Sequence, residues 1–454
     1  MKHTNDLGKD SIWSLVIRLA IPAMIAQLVN VLYSIVDRMY IGNIKEIGDI
    51  ALAGVGVCGP IVTLLSSFGT LIGIGGSILV AMKLGEKKQK EASQIFANSF
   101  CMLVVCSAVL TIVFMLMKGQ LLRWFGASDA TFVYANTYMT IYTLGTFFAI
   151  MALGLNYFIT CQGYATIAMA TVVVGAISNI LLDPIFIFAL RLDVAGAAIA
   201  TVISQMVSCG FALGFLMRKS LPVHLTFGGY SISIMKKIIA LGLSPFLILA
   251  TDSIILIVMN TVLQKYGGAA EGDLYVSCNT IIQSYFLLIT GPMVGITGGT
   301  QAIISYNYGA KESGRIRKAE KCILLMCLIF TTIMTVVSRL APQYFVRIFT
   351  DNPENIRLSI WGIRTVTLAI IPLSFQYVFV DGLTALGRTK TALSLSMLRK
   401  SMYCIFTIVL PAFLTTKGTF YAEPAADLIS ACISTAVFLL VFEKHLAQRE
   451  AISI

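Results

Sequence analysis

The chain has 454 residues, of which 57% are hydrophobic and only 12% charged, with a mean hydropathy of +0.86. A soluble globular protein carries about 25% charged residues, so this composition excludes that class and points to a polytopic membrane protein. The formal charge of +11 does not argue for a nucleic-acid partner, because the lysines and arginines gather in short loops between apolar runs, the signature of the positive-inside rule.

Residues 1–10 are polar and the first apolar run is too long for a signal-peptide core, so no removable leader is expected. Runs of about 20 apolar residues fit membrane spans. Twelve are read here: 13–37, 51–81, 96–117, 134–158, 166–189, 194–216, 238–262, 278–304, 322–341, 359–384, 392–413 and 425–442. Lys83, Lys87, Lys88 and Lys90 follow span 2, Arg218, Lys219, Lys236 and Lys237 follow span 6, and five more cations from Lys311 to Lys321 follow span 8. The opposite loops are poorer in cations, and only the loop after span 9, with Arg347 and Arg357, departs from the contrast. Even-numbered loops and both termini are therefore expected in the cytoplasm.

The ten cysteines and three histidines carry little chemistry. Cys101/Cys106 and Cys322/Cys327 lack zinc-ligand spacing, most cysteines lie in apolar runs as small hydrophobes, and His3, His224 and His445 fall outside the expected spans.

The chain repeats itself at an offset of about 223 residues. Gly73-Ile-Gly-Gly-Ser77 answers Gly295-Ile-Thr-Gly-Gly-Thr300, Leu122-Arg-Trp-Phe125 answers Val346-Arg-Ile-Phe349, Gln162-Gly-Tyr-Ala-Thr166 answers Leu386-Gly-Arg-Thr-Lys390, and Pro22 answers Pro245. Six spans is an even number, so both copies enter from the same side and should be related by an axis along the membrane normal. The expected division is a six-helix lobe at 1–218, a cytoplasmic linker at 219–233 and a second six-helix lobe at 234–454. The glycine clusters could be misread as phosphate loops, but no Walker lysine or dinucleotide pattern follows them, and close helix packing explains them better. Nucleotide binding is not expected, so any transport would draw on an ion gradient or a partner ATPase. Arg18, Arg364 and Arg399 are read as snorkelling near span ends.

The informative residues are the polar ones inside spans. Asp183 is a lone carboxylate in an apolar run, where insertion costs about 2.5–3.5 kcal/mol, so it should face a cavity. Asn179, four residues earlier, shares its helical face, and Pro184 withholds a backbone donor from the carbonyl of Ile180. Asp37 closes span 1 with Tyr33 and Asn30 on the same face, and is otherwise an interfacial partner of Arg38. Asn156 in span 4 either joins a site or bridges helices. In the second half, Asp252 lies in mid-span 7, and Tyr377 and Asp381 lie one turn apart in span 10; helix packing is the competing reading for each.

Together, Ile21-Pro22, Tyr33-Ser-Ile-Val-Asp37-Arg-Met-Tyr-Ile-Gly42, the glycine-rich end of span 2, Cys161-Gln-Gly-Tyr164 and Asn179-Ile-Leu-Leu-Asp183-Pro184 resemble the MATE (multidrug and toxic compound extrusion) family, in its bacterial multidrug-efflux branch. The six-plus-six duplication extends the resemblance over nearly the whole chain. It implies an all-α integral membrane fold of twelve helices in two lobes with a central cavity. It also implies antiport of small organic cations against H+ or Na+ by a rocker motion, in the inner (cytoplasmic) membrane, by a monomer without cofactor.

By the same resemblance, Asp37, Asn179 and Asp183 form a first-lobe coupling network, with Asn156 and Thr201 as further members. Asp252, Tyr377 and Asp381 match a second-lobe coupling set, in which Asp252 departs from a glutamate often found there. Na+ could sit at Asp252, Tyr377 and Asp381, or at Asp37, Asn179 and Asp183. Two alternatives stand beside this reading. A flippase for lipid-linked oligosaccharides or another amphiphile would need several cations in mid-membrane, and a receptor would bind a cation without moving it.

Overall fold

The structure, a computed structural model, describes residues 6–125, 127–350 and 352–451; at residues 49, 253, 257, 269, 270, 273, 450 and 451 it describes the backbone alone. His3 lies outside the described residues. Among the described residues the regular structure is entirely helical. The helices are α1 (Ile12–Gly42), α2 (Gly48–Gly85), α3 (Gln89–Trp124), α4 (Asp129–Leu144), α5 (Thr146–Thr160), α6 (Ala165–Pro184) and α7 (Asp193–Leu216), followed by α8 (Ile232–Gly309). After it come α9 (Ser313–Leu340), α10 (Pro342–Val346), α11 (Pro353–Val366), α12 (Ile370–Ala385), α13 (Thr389–Leu414) and α14 (Ala422–Ala451).

Eleven helices are long and apolar enough to cross a membrane, and the bent pair α4 and α5 supplies a twelfth. The twelve-span reading therefore holds, with two refinements. The run at 134–158 is two helices meeting at 57°. The bend falls at Gly145, where a Cβ would lie 2.4 Å from a methyl of Val202 on α7, so a side chain has no room. Conversely, α8 is one helical run of 78 residues containing spans 7 and 8, broken at Gly268, whose φ of 62° favours glycine.

The described residues fall into two compact units. One comprises residues 6–10 and 25–249, the other residues 11–24 and 250–451, so α1 and α8 each belong to both units. The change of unit follows Pro22 in α1 and Pro245 in α8, prolines that remove a helical hydrogen bond from each.

The glycine clusters explain how these segments pack. Gly75 of α2 and Gly242 of α8 lie against the other helix's backbone: a Cβ would come 2.0 Å from the carbonyl of Ile238 and 1.8 Å from that of Leu71. In the second unit the repeat does the same, with Gly295 and Gly299 of α8 closed against Ala23, Met24 and Leu19 of α1. Backbone this close accommodates no side chain, which is the small-residue logic of helix association in lipid. Gly73 and Gly76 serve α5 similarly, beside Tyr157 and Phe158.

The segment 219–233 is strapped to the first unit. Gln94 and Asn98 of α3 donate to the carbonyl of Gly229 at 2.8 and 3.1 Å, Ser231 N–H donates to Asn98 Oδ1 at 2.8 Å, and Val223 N–H donates to Gln162 Oε1 at 3.0 Å.

Candidate functional site

In the first unit, α6 carries its polar face into the packed interior: Asn179 and Asp183 are buried, at 1% and 0% exposure. They lie four residues apart and so stack on one helical face, with Asn179 Nδ2 donating to Asp183 Oδ1 at 3.2 Å. Pro184 cannot donate, and the helix passes directly into a wider turn, Ile185–Ala189, in which Leu190 N–H reaches back five residues to the carbonyl of Ile185 at 2.9 Å. Such π turns interrupt α-helices frequently at functional sites.

Asp37 of α1 brings its carboxyl against that of Asp183. Thr201 of α7 completes the group, its hydroxyl 3.5 Å from Asn179 Nδ2 and itself donating to the carbonyl of Ala197. Three oxygens here, Asp37 Oδ1, Asn179 Oδ1 and Asp183 Oδ2, are buried without a hydrogen-bond donor among the described residues, and the two facing carboxyls can bond each other only through a shared proton. A buried polar atom left unpaired costs about 1–3 kcal/mol, more when charged, so this gathering calls for a proton, a metal cation or a ligand. The oxygen-only donor set suits H+ or Na+.

Around the group stand tyrosines. Tyr33 neighbours Asp37, Asp183 and Tyr142, while Tyr138 stacks on Tyr142 at 6.1 Å and neighbours Asp37 and Thr201. Gln205 of α7 donates to Tyr142 Oη at 3.4 Å. Tyr138, Tyr142 and Gln205 carry no sequence signal of their own, because what brings them to Asp37 and Thr201 is packing between helices. Asn156 is placed elsewhere. Its amide donates to the carbonyl of Ala168 at 2.8 Å and to Thr171 Oγ1 at 2.6 Å, bridging α5 to α6. Thr171 precedes Asp183 by about 18 Å along that helix.

The second unit divides the three residues singled out there. Asp252 is ion-paired with Lys400 of α13. The neighbouring Arg399 turns to Asp427 of α14 at 2.7 Å, with side-chain exposures of 10% and 1%. Its guanidinium also lies over the Tyr377 ring, 5.7 Å from the centroid. Glu423, one turn before Asp427, accepts from Gln283 Nε2 at 3.3 Å. Arg399 therefore does not snorkel at a span end: it is buried in a network of two cations and three acids. The pair Glu423 and Asp427 repeats the i, i+4 pattern of Asn179 and Asp183, and a span beginning at 425 leaves Glu423 outside it.

Asp381, one turn beyond Tyr377, belongs to a different neighbourhood. It faces Glu320 of α9 and has the Thr297 hydroxyl within reach. Glu320 is buried at 5% exposure, both its carboxyl oxygens lack a hydrogen-bond partner among the described residues, and it presses so closely on Gly382 that a Cβ there would meet Oε1 at 1.9 Å. With span 9 read from 322, Glu320 passed as a loop residue; α9 begins two turns earlier, at Ser313. Among the described residues no group of three or more His, Cys, Asp or Glu side chains gathers as a metal site.

The family model MatE matches twice, at residues 22–185 and 247–410, once per repeat. The multidrug export protein MepA of Staphylococcus haemolyticus is 25% identical, over 95% of this chain and 94% of its own length. That of Staphylococcus saprophyticus is 23% identical, over 91% and 89%. Among solved structures, a multidrug resistance MATE family transporter of the MOP superfamily, in its outward-facing conformation, superposes with a TM-score of 0.90 at 22% identity, covering 98% of this chain and 99% of that one. A MOP superfamily transporter from Pyrococcus furiosus, described as having a binding pocket of reversed polarity and a suggested different function, has the same score, identity and coverage. These likenesses to solved structures show the fold, and pocket polarity has to be read from this chain's own residues. With the MatE model matched in both repeats, the chain belongs to the MATE family of multi-pass membrane transporters.

Proposed function

We propose that this protein is a secondary active antiporter that exports small organic cations from the cytoplasm in exchange for H+ or Na+. The observation that carries this reading is the set of three unpartnered buried oxygens on Asp37, Asn179 and Asp183. The multidrug export activity named for the staphylococcal relatives agrees with it.

With Asp183 ionised, the group attracts an organic cation strongly, since a carboxylate in low dielectric is a potent partner. Two adjacent buried carboxyls cannot both stay charged without a counter-charge, so an incoming proton or sodium ion displaces the drug. Tyr33, Tyr138 and Tyr142 stand beside the same group, and tyrosine rings attract cations. Moving one charge through 100 mV is worth about 2.3 kcal/mol, enough for a gradient of roughly fiftyfold. Alternation would come from a rocker motion of the two lobes, with both termini cytoplasmic and one copy of the chain sufficient. The second unit is proposed as an accessory coupling site at Asp381, with Asp252 and Tyr377 in the neighbouring network. The flippase alternative draws on Arg399 and Lys400, but each is matched by an acid, and the network holds three acids against two cations.

Proteoliposome counterflow with cationic, neutral and anionic fluorescent compounds of similar size tests this. Cations should exchange at least about tenfold faster than anions, the discrimination expected from one charge-assisted contact. A pH or sodium gradient imposed alone should drive their accumulation. Anion exchange at equal rate, or cation retention without movement, would sink the proposal.

A further inference from the structure

The departure from the positive-inside pattern after span 9 has a structural counterpart. At the end of α9 opposite its lysine- and arginine-rich start, an open cavity of about 840 Å³ is lined by Arg347, Arg357, Arg364, Ile356, Ile360 and Trp361. Five of these lie on α11 at spacings of three and four, so one helical face presents arginines with isoleucine and tryptophan between them. Arg347 enters from the turn after α10.

Among the described residues no ion pair compensates the cations here. Neither Arg347 nor Arg357 has an ion pair or a side-chain hydrogen bond among the described residues. Arg364 donates to the carbonyl of Arg339 at 2.9 Å, a neutral acceptor, and Lys417 adds an ammonium 5.5 Å from the Trp361 ring centre. Among the described residues no carboxylate lines the cavity; Glu354, on the first turn of α11, neighbours Tyr275 and Cys278 instead. Like charges drawn together repel unless an anion joins them. Topology does not explain these arginines either, because the rule that places cations in loops places them on the other face.

We infer that this cavity is a binding site for a phosphate-bearing anion, and that the headgroup of an anionic phospholipid is its occupant. Guanidinium forks match phosphate oxygens two at a time, which single lysines do not. The isoleucines and Trp361 supply an apolar wall beside the charge, suited to a glycerol backbone and the start of an acyl chain, and tryptophan favours the headgroup level of a bilayer. The inference does not depend on the antiport reading.

The test follows the unfolding midpoint of the full chain in neutral detergent, with added phosphatidylglycerol, phosphatidylcholine or inorganic phosphate. Phosphatidylglycerol should raise the midpoint by about 3 °C or more and phosphatidylcholine by less than half of that. An R347Q/R357Q protein, which loses two exposed side chains without a side-chain partner among the described residues, should match the unsubstituted midpoint without lipid and lose most of the phosphatidylglycerol shift. A K236Q/K237Q protein, altered at two exposed lysines elsewhere, should retain it. If inorganic phosphate alone reproduces the shift and depends on Arg347 and Arg357, the site stands with a soluble phosphate as its occupant and the lipid assignment falls. Equal shifts from both lipids, or a full shift in R347Q/R357Q, overturn the site.

Discussion

An Asp183→Asn protein in inverted vesicles should take up a fluorescent organic cation under an imposed pH gradient at one-tenth to one-hundredth of the unsubstituted rate. The amide fills the same space and can still meet Asn179, so folding should survive. What disappears is the only carboxylate on the buried face of α6, and with it a charge-assisted contact worth about 1.5–3 kcal/mol. Asp37→Asn should be damaging too, since its carboxyl shares the site. Asn156→Ala provides the contrast: its amide is committed to Ala168 and Thr171, so its loss should lower stability while leaving most of the transport. Uptake by Asp183→Asn at the ordinary rate would remove the first-unit site from the mechanism.

Arg399→Met should destabilise the protein by about 3–5 kcal/mol, the effect of stranding one partner of a buried ion pair. Asp427 is 1% exposed and its Oδ2 already lacks a hydrogen bond among the described residues, and the nearby Lys400 is itself ion-paired with Asp252, so the charge of Asp427 loses its direct partner. The double change Arg399→Met with Asp427→Leu removes both charges and should recover most of the loss, because well-packed apolar replacements of buried pairs are often neutral. The unfolding midpoint in detergent reads both. If Arg399→Met alone matches the unsubstituted protein, the pair is not structural and Arg399 is free for a role in transport.

Much of this was legible in the sequence, for physical reasons that differ from residue to residue. The spans were readable because lipid demands about 20 apolar residues per crossing and tolerates few charges. Asn179 and Asp183 were readable because a helix fixes their common face, and their bond follows from spacing alone. That Asp37 of α1 would meet them depends on packing between helices far apart in sequence, which periodicity does not encode. The same gap hid Tyr138, Gln205 and the division of the second-unit set, where Tyr377 and Asp381 share a helical face yet face different partners. Glu320, Glu423 and the bend at Gly145 escaped because hydropathy locates the middle of a span better than its ends or its direction. Arg399 escaped because a lone arginine in an apolar run reads as a snorkel until its counter-charge, on another helix, is seen.

The most direct test of one acid pair serving drug and proton in turn is proton release on binding. Detergent-solubilised protein in weak buffer, at constant sodium, is mixed with a non-titrating organic cation while a pH dye is followed. Binding should release close to one proton per protein molecule at neutral pH, and Asp183→Asn should bind more weakly and release none. Tight binding with no proton release, and no competition by sodium in its place, would show that drug and coupling ion occupy separate sites, and the exchange at Asp37 and Asp183 would have to be abandoned.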